Sequence, residues 1–151
     1  MQSNDLQWSE WLKLCENLYT VEKEFNQVIE SLNAILRDQK IPEGSWSVKD
    51  VLLHIVGWEV EVVNQFKAIL TNPDVDDNYD IDSFNKSAVE SRKHLSWNQI
   101  VAELKTAQTE LTGFLFTLEQ TDIEEEKRFL EWVNVLINHY VHHTKQLKQL
   151  T

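Results

Sequence analysis

Glycine and proline are scarce in this chain, which has only 3 Gly and 2 Pro among 151 residues. A β-sandwich or barrel needs many tight turns, and those turns depend on Gly, Pro, Asn or Asp at fixed positions. The sequence therefore favours long helices joined by few connections. The length is enough for one hydrophobic core and too small for two full cores. We expect a single all-α domain over residues 1–151.

Apolar residues recur at steps of three or four along most of the chain, the period of an amphipathic helix. This pattern is interrupted at four places: at Pro42 and Gly44, before Asn72, around Leu95–Asn98, and before Thr121. At the third place, Ser96 is predicted to be the N-cap of a new helix. The predicted helices cover 5–37, 47–71, 81–118 with that interruption, and 121 or 122 onward. Four long amphipathic helices predict a four-helix bundle, with a long acidic connection between helices two and three over 73–82.

The formal net charge is −11, from 14 basic and 25 acidic residues. Such a chain is repelled by a phosphate backbone and offers no basic face for a membrane surface, so neither nucleic acid nor membrane is an expected partner. We see neither an apolar run long enough to span a bilayer nor a signal-peptide pattern. The single cysteine, Cys15, is expected to be a buried, inert thiol. A cytoplasmic location is therefore expected.

Three of the five histidines carry the functional hypothesis. His139 and His143 are four residues apart on the last predicted helix, so they share one face about 6 Å apart and can hold one divalent metal. At about 100° per residue they fall beside the apolar stripe, whereas His142 falls on a polar face. His54 likewise flanks the apolar stripe of the second helix. These three residues form the candidate metal-ligand set.

The same positions also suit histidines at the edge of a core that each make one hydrogen bond, and the residues alone leave both interpretations open. Three neutral imidazoles would leave a divalent metal with an open position and lower the pKa of a water there. Glu61, about two turns from His54, is a candidate general base or hydrogen-bond acceptor, or an ordinary solvated charge. Trp58 and Trp132 flank the histidine strips and would line a substrate pocket or fill the core.

Three stretches of the sequence, 46–59, 82–97 and 139–147, resemble the DinB/YfiT-like superfamily. The first contains Trp46-Ser47 and His54, and the last contains the His139-x-x-x-His143 pair followed by Gln-Leu. The middle stretch is similar to the ClbS/DfsB and mycothiol-dependent maleylpyruvate isomerase branches. The resemblance implies a four-helix bundle in which His54, His139 and His143 hold a divalent metal, often nickel or zinc. It also implies a homodimer.

The superfamily's activities are scattered, so the resemblance implies several functions for this chain. One is a metal-dependent hydrolase, or a transferase or isomerase that uses a low-molecular-weight thiol, acting on a small molecule. A second is a non-catalytic binding or self-protection protein of the ClbS/DfsB type, and a third is a structural dimer with a vestigial site. Asn85 and Arg92 match the middle motif and share a helix face, and the resemblance makes both candidate substrate-pocket residues. Arg92 would hold a substrate carboxylate or pair with one of the many acidic residues.

Overall fold

The computed structural model describes residues 3–41 and 44–151, and within them the chain is helical without a strand. The all-α prediction is confirmed. Pro42, one of the two predicted helix breakers at this point, lies outside the described residues. The helices are α1 (Ser3–Ser31), α2 (Ala34–Arg37), α3 (Val48–Thr71), α4 (Ile81–Arg92), α5 (Trp97–Thr117), α6 (Gln120–Glu125) and α7 (Arg128–Lys148).

The first predicted helix, over 5–37, is wrong at its C-terminal end, because α1 stops at Ser31 and a separate turn, α2, follows. Asn33 is the cause. Its side-chain oxygen accepts hydrogen bonds from the backbone N–H groups of Ile35 and Leu36, each at 3.1 Å. An Asn in this role starts a new helix rather than continuing the old one.

Helix α3 begins and ends where the sequence predicts. The Ser47 hydroxyl accepts from the Asp50 backbone N–H at 3.1 Å, and the Asp50 carboxylate accepts from the Ser47 N–H at 3.1 Å. This reciprocal capping box fixes the first turn of α3 and therefore the direction in which its side chains point. The connection after Thr71 is mostly exposed, as expected of the acidic segment, and Asp80 caps α4.

The predicted interruption of the third helix is confirmed at 93–96, between α4 and α5. Ser96 and Gln99 form a second reciprocal cap, with hydrogen bonds of 3.2 and 2.8 Å. The start of the last helix at 121 or 122 is wrong, because that segment is the short α6 and α7 begins at Arg128. Between them Glu126 is extended, and its carboxylate accepts hydrogen bonds from the backbone and side chain of Arg128.

The helices group into two compact units, of which the first contains residues 3–31 and 112–149. Within this unit α1 packs along α7, where the rings of Phe25 and Tyr140 meet edge to face at 5.4 Å between centroids. Both side chains are fully buried. At the end of the same pair of helices, Lys148 forms an ion pair with Glu24.

The second unit covers Leu32–Leu111 and is built on the packing of α4 against α3. The two helices approach closely at Gly57, where an added Cβ would lie 2.6 Å from the Cβ of Ala88. Only a residue without a side chain allows this approach of α4 to α3. Among the residues described, none of the helices combines the length and the apolar character that crossing a membrane requires.

Candidate metal centre

The first part of the candidate site is the histidine pair on α7. The Nε2 atoms of His139 and His143 are 3.0 Å apart, and their ring centroids are 4.6 Å apart. The spacing of four residues places both rings on one helix face, as the sequence predicts. His143 is 6% exposed and His139 is half-buried, whereas His142 is exposed. Two ring nitrogens therefore converge at the edge of the core.

A local hydrogen bond orients the His143 ring. Its Nδ1 lies 2.8 Å from Oε1 of Gln146, one turn further along α7. Because that oxygen only accepts, Nδ1 carries the proton and Nε2 keeps its lone pair. Burial lowers the pKa of His143 to about 4, although the Gln146 hydrogen bond acts in the opposite direction. The ring is thus neutral near pH 7, and neutral imidazole is the form that binds metals.

The third histidine, His54, lies in the second turn of α3 and is 5% exposed. Its Nδ1 is 2.9 Å from Oδ1 of Asn85 on α4. The ring of Trp46 covers it at 4.8 Å between centroids. Trp46 reaches this position because the backbone pairs across the connection before α3, with Ile41 donating to Trp46 at 3.0 Å. Trp46 therefore packs on the start of α3, as the sequence suggests.

Aromatic side chains surround the Asn85 end of this histidine. The indole N–H of Trp58 donates to the same Asn85 oxygen at 2.7 Å. The Trp58 ring packs on Phe84 at 4.1 Å and meets Tyr79 edge to face at 5.4 Å. Trp58 is only 7% exposed, so it fills the core of its unit. Its predicted role as a wall for substrate stays a prediction.

His54, His139 and His143 each offer one ring nitrogen, and these nitrogens all lie within 4.8 Å of one another. Three imidazole donors at this separation form a cluster that could hold a divalent metal ion. Imidazole nitrogens suit several first-row metals, so the cluster fits a cation such as Zn²⁺ or Ni²⁺ without selecting between them.

Glu61 lies on α3, half-buried, and accepts a hydrogen bond from the Tyr79 hydroxyl at 3.0 Å. The same hydroxyl is 3.0 Å from Oε1 of Gln65, whose amide in turn donates to the backbone of Asp76. Burial and the Glu61 carboxylate raise the pKa of Tyr79 above its ordinary value, so the phenol stays protonated. These contacts fasten the 72–80 connection to α3, and the predicted base role of Glu61 stays a prediction.

The two remaining predicted pocket residues have different surroundings. Trp132 is half-buried in the first half of α7. Arg92 lies at the end of α4, where its guanidinium is 3.8 Å from the Glu103 carboxylate on α5 and 3.5 Å from the carbonyl of Ala88. Its contacts match the ion-pair interpretation, and the substrate-binding roles of both residues stay predictions.

The sequence matches the family described as DinB over residues 1–150. The chain belongs to the DinB family. Among solved structures, one described as "Sibling Lethal Factor Precursor - DfsB" is similar to it with a TM-score of 0.76 and 11% sequence identity, over 93% of this chain and 94% of the other. At that identity the likeness shows a shared fold. None of the curated proteins matches this chain.

Sequence reasoning missed several residues of this DinB protein that the structure places beside the predicted ones. Gln146 and Tyr79 support His143 and Glu61 respectively, and neither residue type signals such a role by itself. Glu59 is fully buried, although its side chain is acidic. The sequence does signal this residue, because Glu59 follows directly on the mostly apolar run over 51–58. A charge in such a run marks either a structural partner or a functional group.

Proposed function

We propose that this DinB chain is a divalent-metal-dependent enzyme that acts on a small molecule, either as a hydrolase or as a transferase or isomerase that uses a low-molecular-weight thiol. The ligands are His54, His139 and His143. The observation that carries the proposal is the convergence of one nitrogen from each ring within 4.8 Å. The two buried rings also each have an oxygen acceptor at Nδ1: Asn85 for His54, and Gln146 for His143.

The chemistry follows from the number and charge of the ligands. A divalent cation held by three neutral imidazoles is a Lewis acid with an open position, and it lowers the pKa of a water or thiol that binds there. The chain's own contribution is to keep His143 neutral by burial and to hold its ring through Gln146. Nickel and zinc are the proposed metals.

We assign the organic part of the reaction to the candidate residues that the sequence indicates. Glu61 is the proposed general base, and release of its carboxylate from Tyr79 would free it for that role. Trp58 and Trp132 are the proposed apolar walls for the substrate, with Asn85 and Arg92 as polar residues of the same pocket. The aromatic surroundings of Trp58 favour a substrate with an apolar or planar portion.

The decisive experiment is metal analysis of protein purified without a metal-affinity step. We expect about one equivalent of a first-row divalent metal in the wild type, and a large loss in His143→Ala. His142→Ala is the matched control, because this exposed neighbour lies on the same helix. Full retention of metal by His143→Ala would count against the three-histidine site.

A second candidate function is a protein that binds a small molecule without converting it. The aromatic group of Trp58, Tyr79 and Phe84 favours it, because such rings can hold an apolar ligand without a metal. In that case a bound ligand raises the melting temperature and the rise survives EDTA. A rise that disappears with EDTA supports the enzyme instead.

A further inference from the structure

The Asn85 side chain contacts both His54 and Trp58 through a single atom. Its Oδ1 lies 2.9 Å from Nδ1 of His54 and 2.7 Å from Nε1 of Trp58. Asn85 is on α4 and both partners are on α3, so the contact spans 31 and 27 residues of sequence. The arrangement is therefore a product of how the two helices pack, and not of local sequence.

The Trp58 contact determines which way the Asn85 amide faces. An amide group can be turned by 180° with little change in shape, so its oxygen and nitrogen must be assigned from their partners. An indole N–H can only donate, so the atom 2.7 Å from it must be the amide oxygen. The Trp58 indole is itself held by the ring of Phe84 at 4.1 Å. The oxygen therefore has a fixed position.

This fixed oxygen in turn determines the proton position on His54. Because the oxygen only accepts, the ring nitrogen facing it must carry the proton, and that nitrogen is Nδ1. In a neutral imidazole the other nitrogen, Nε2, then has the lone pair. The opposite tautomer would place two lone pairs face to face at Asn85 and a proton on Nε2.

We propose that Asn85 is a positioning residue, which holds His54 in the Nδ1–H tautomer and so presents its Nε2 lone pair to a divalent cation. This inference rests on the proposed function for its metal part only. Trp58 acts as the partner that keeps the Asn85 oxygen turned towards His54. Outer hydrogen bonds of this kind orient metal-binding histidines and change metal affinity by about 10- to 100-fold.

The test combines two readouts on the same variants of the full-length chain. The first is the ¹⁵N chemical shift of the His54 ring in metal-free protein, which reports which nitrogen carries the proton. The second is calorimetric titration with Ni²⁺. Asn85→Leu removes the acceptor with a similar volume, and Asn85→Asp keeps an oxygen acceptor. Asn64→Leu is the control, because Asn64 is exposed on the same helix as His54.

We expect the Nδ1–H form in the wild type, Asn85→Asp and Asn64→Leu, and its loss in Asn85→Leu. We expect Ni²⁺ affinity to fall about 10- to 100-fold in Asn85→Leu alone. An unchanged His54 spectrum in Asn85→Leu would overturn the inference, as would a wild-type ring protonated on Nε2. If the wild type binds no Ni²⁺, the proposed nickel site fails, and the spectra still decide whether Asn85 sets the tautomer.

Discussion

His143 and His54 are both buried histidines, but the molecule supports them in different ways. His143 is held by Gln146, three residues away on the same helix. His54 is held by the side-chain oxygen of Asn85, 31 residues away on another helix. The same oxygen accepts a hydrogen bond from Trp58, which keeps it in place. The contact between His143 and Gln146 needs only the helix α7, because both residues lie on it. The support of His54 exists only when α4 packs correctly on α3, so it should be the more sensitive to changes elsewhere in its unit.

The largest expected effect concerns the burial of His143. Its pKa is about 4 in the folded protein, against an ordinary value of 6.5. Between these values the unfolded chain binds a proton that the folded protein does not, so the free energy of unfolding decreases as the pH falls through this window. The whole loss is about 3 kcal/mol. Urea unfolding of metal-free protein at a series of pH values measures it.

The control for this pH dependence is His143→Gln, which has no imidazole at this position. We expect its stability to decline less steeply between pH 6.5 and pH 4 than that of the wild type. Parallel profiles for the two proteins would mean that His143 is not protected from protonation, and that its ring is less buried than the structure indicates.

The second prediction tests the packing that supports His54. A Cβ at Gly57 would lie 2.6 Å from the Ala88 Cβ, so Gly57→Ala should push α4 away and destabilise the protein by about 1–3 kcal/mol. Gly113 is also helical, and nothing lies within 4 Å of a Cβ added there. Gly113→Ala should instead stabilise the protein by about 1 kcal/mol. Urea unfolding compares the two.

A compensating change shows whether the loss comes from this one contact. Ala88→Gly removes the atom that the new Cβ would meet, so the Gly57→Ala, Ala88→Gly double variant should be more stable than the sum of the two single changes predicts. We expect Gly57→Ala to change the His54 ring spectrum, because the Asn85 contact depends on how α4 packs on α3, and we expect the double variant to restore the wild-type spectrum. Additive effects would show that α3 and α4 do not depend on this close approach.

The same difference between local and long-range support explains what the sequence could predict. The His139 and His143 pair follows from helical spacing, and the start of α3 follows from Ser47 and Asp50, because both features involve residues within one helical turn. The candidate ligand His54 was also found by helical phase. Its phase shows which side of α3 it occupies, and that side is buried.

The features that sequence reasoning missed depend on competition or on tertiary contacts. Asn33 and Glu126 interrupt helices whose apolar pattern continues past them, because their side chains offer the backbone other hydrogen bonds. The motif match makes Asn85 a candidate pocket residue. Its contact with His54 and Trp58 could not be predicted, because it requires knowing how α4 lies on α3.

A smaller effect on stability is expected from changing Gln146, the residue that supports His143 from within α7. Gln146→Ala removes the acceptor of His143 Nδ1 and should destabilise the protein by about 1 kcal/mol. The α7 backbone still places His139 and His143 on one face, so Ni²⁺ affinity should fall less than in Asn85→Leu. Calorimetric titration of both variants gives the comparison. A larger loss in Gln146→Ala would reverse the order of importance that we assign to the two supports.

The smallest effect on stability is expected at a surface of the first unit, where a cavity of about 360 Å³ lies among apolar side chains of α1 and α5. Phe116 borders it and is 82% exposed, and Leu12 and Tyr19 beside it are also exposed. If the predicted homodimer forms through this surface, Phe116→Ser should convert the dimer to a monomer, which light scattering measures. The free energy of unfolding of the monomer should change by less than about 0.5 kcal/mol. Val135→Ser, at another exposed apolar residue of this unit, should leave the mass unchanged. A wild type that is already monomeric would refute the dimer, and a Phe116→Ser dimer would place the interface elsewhere.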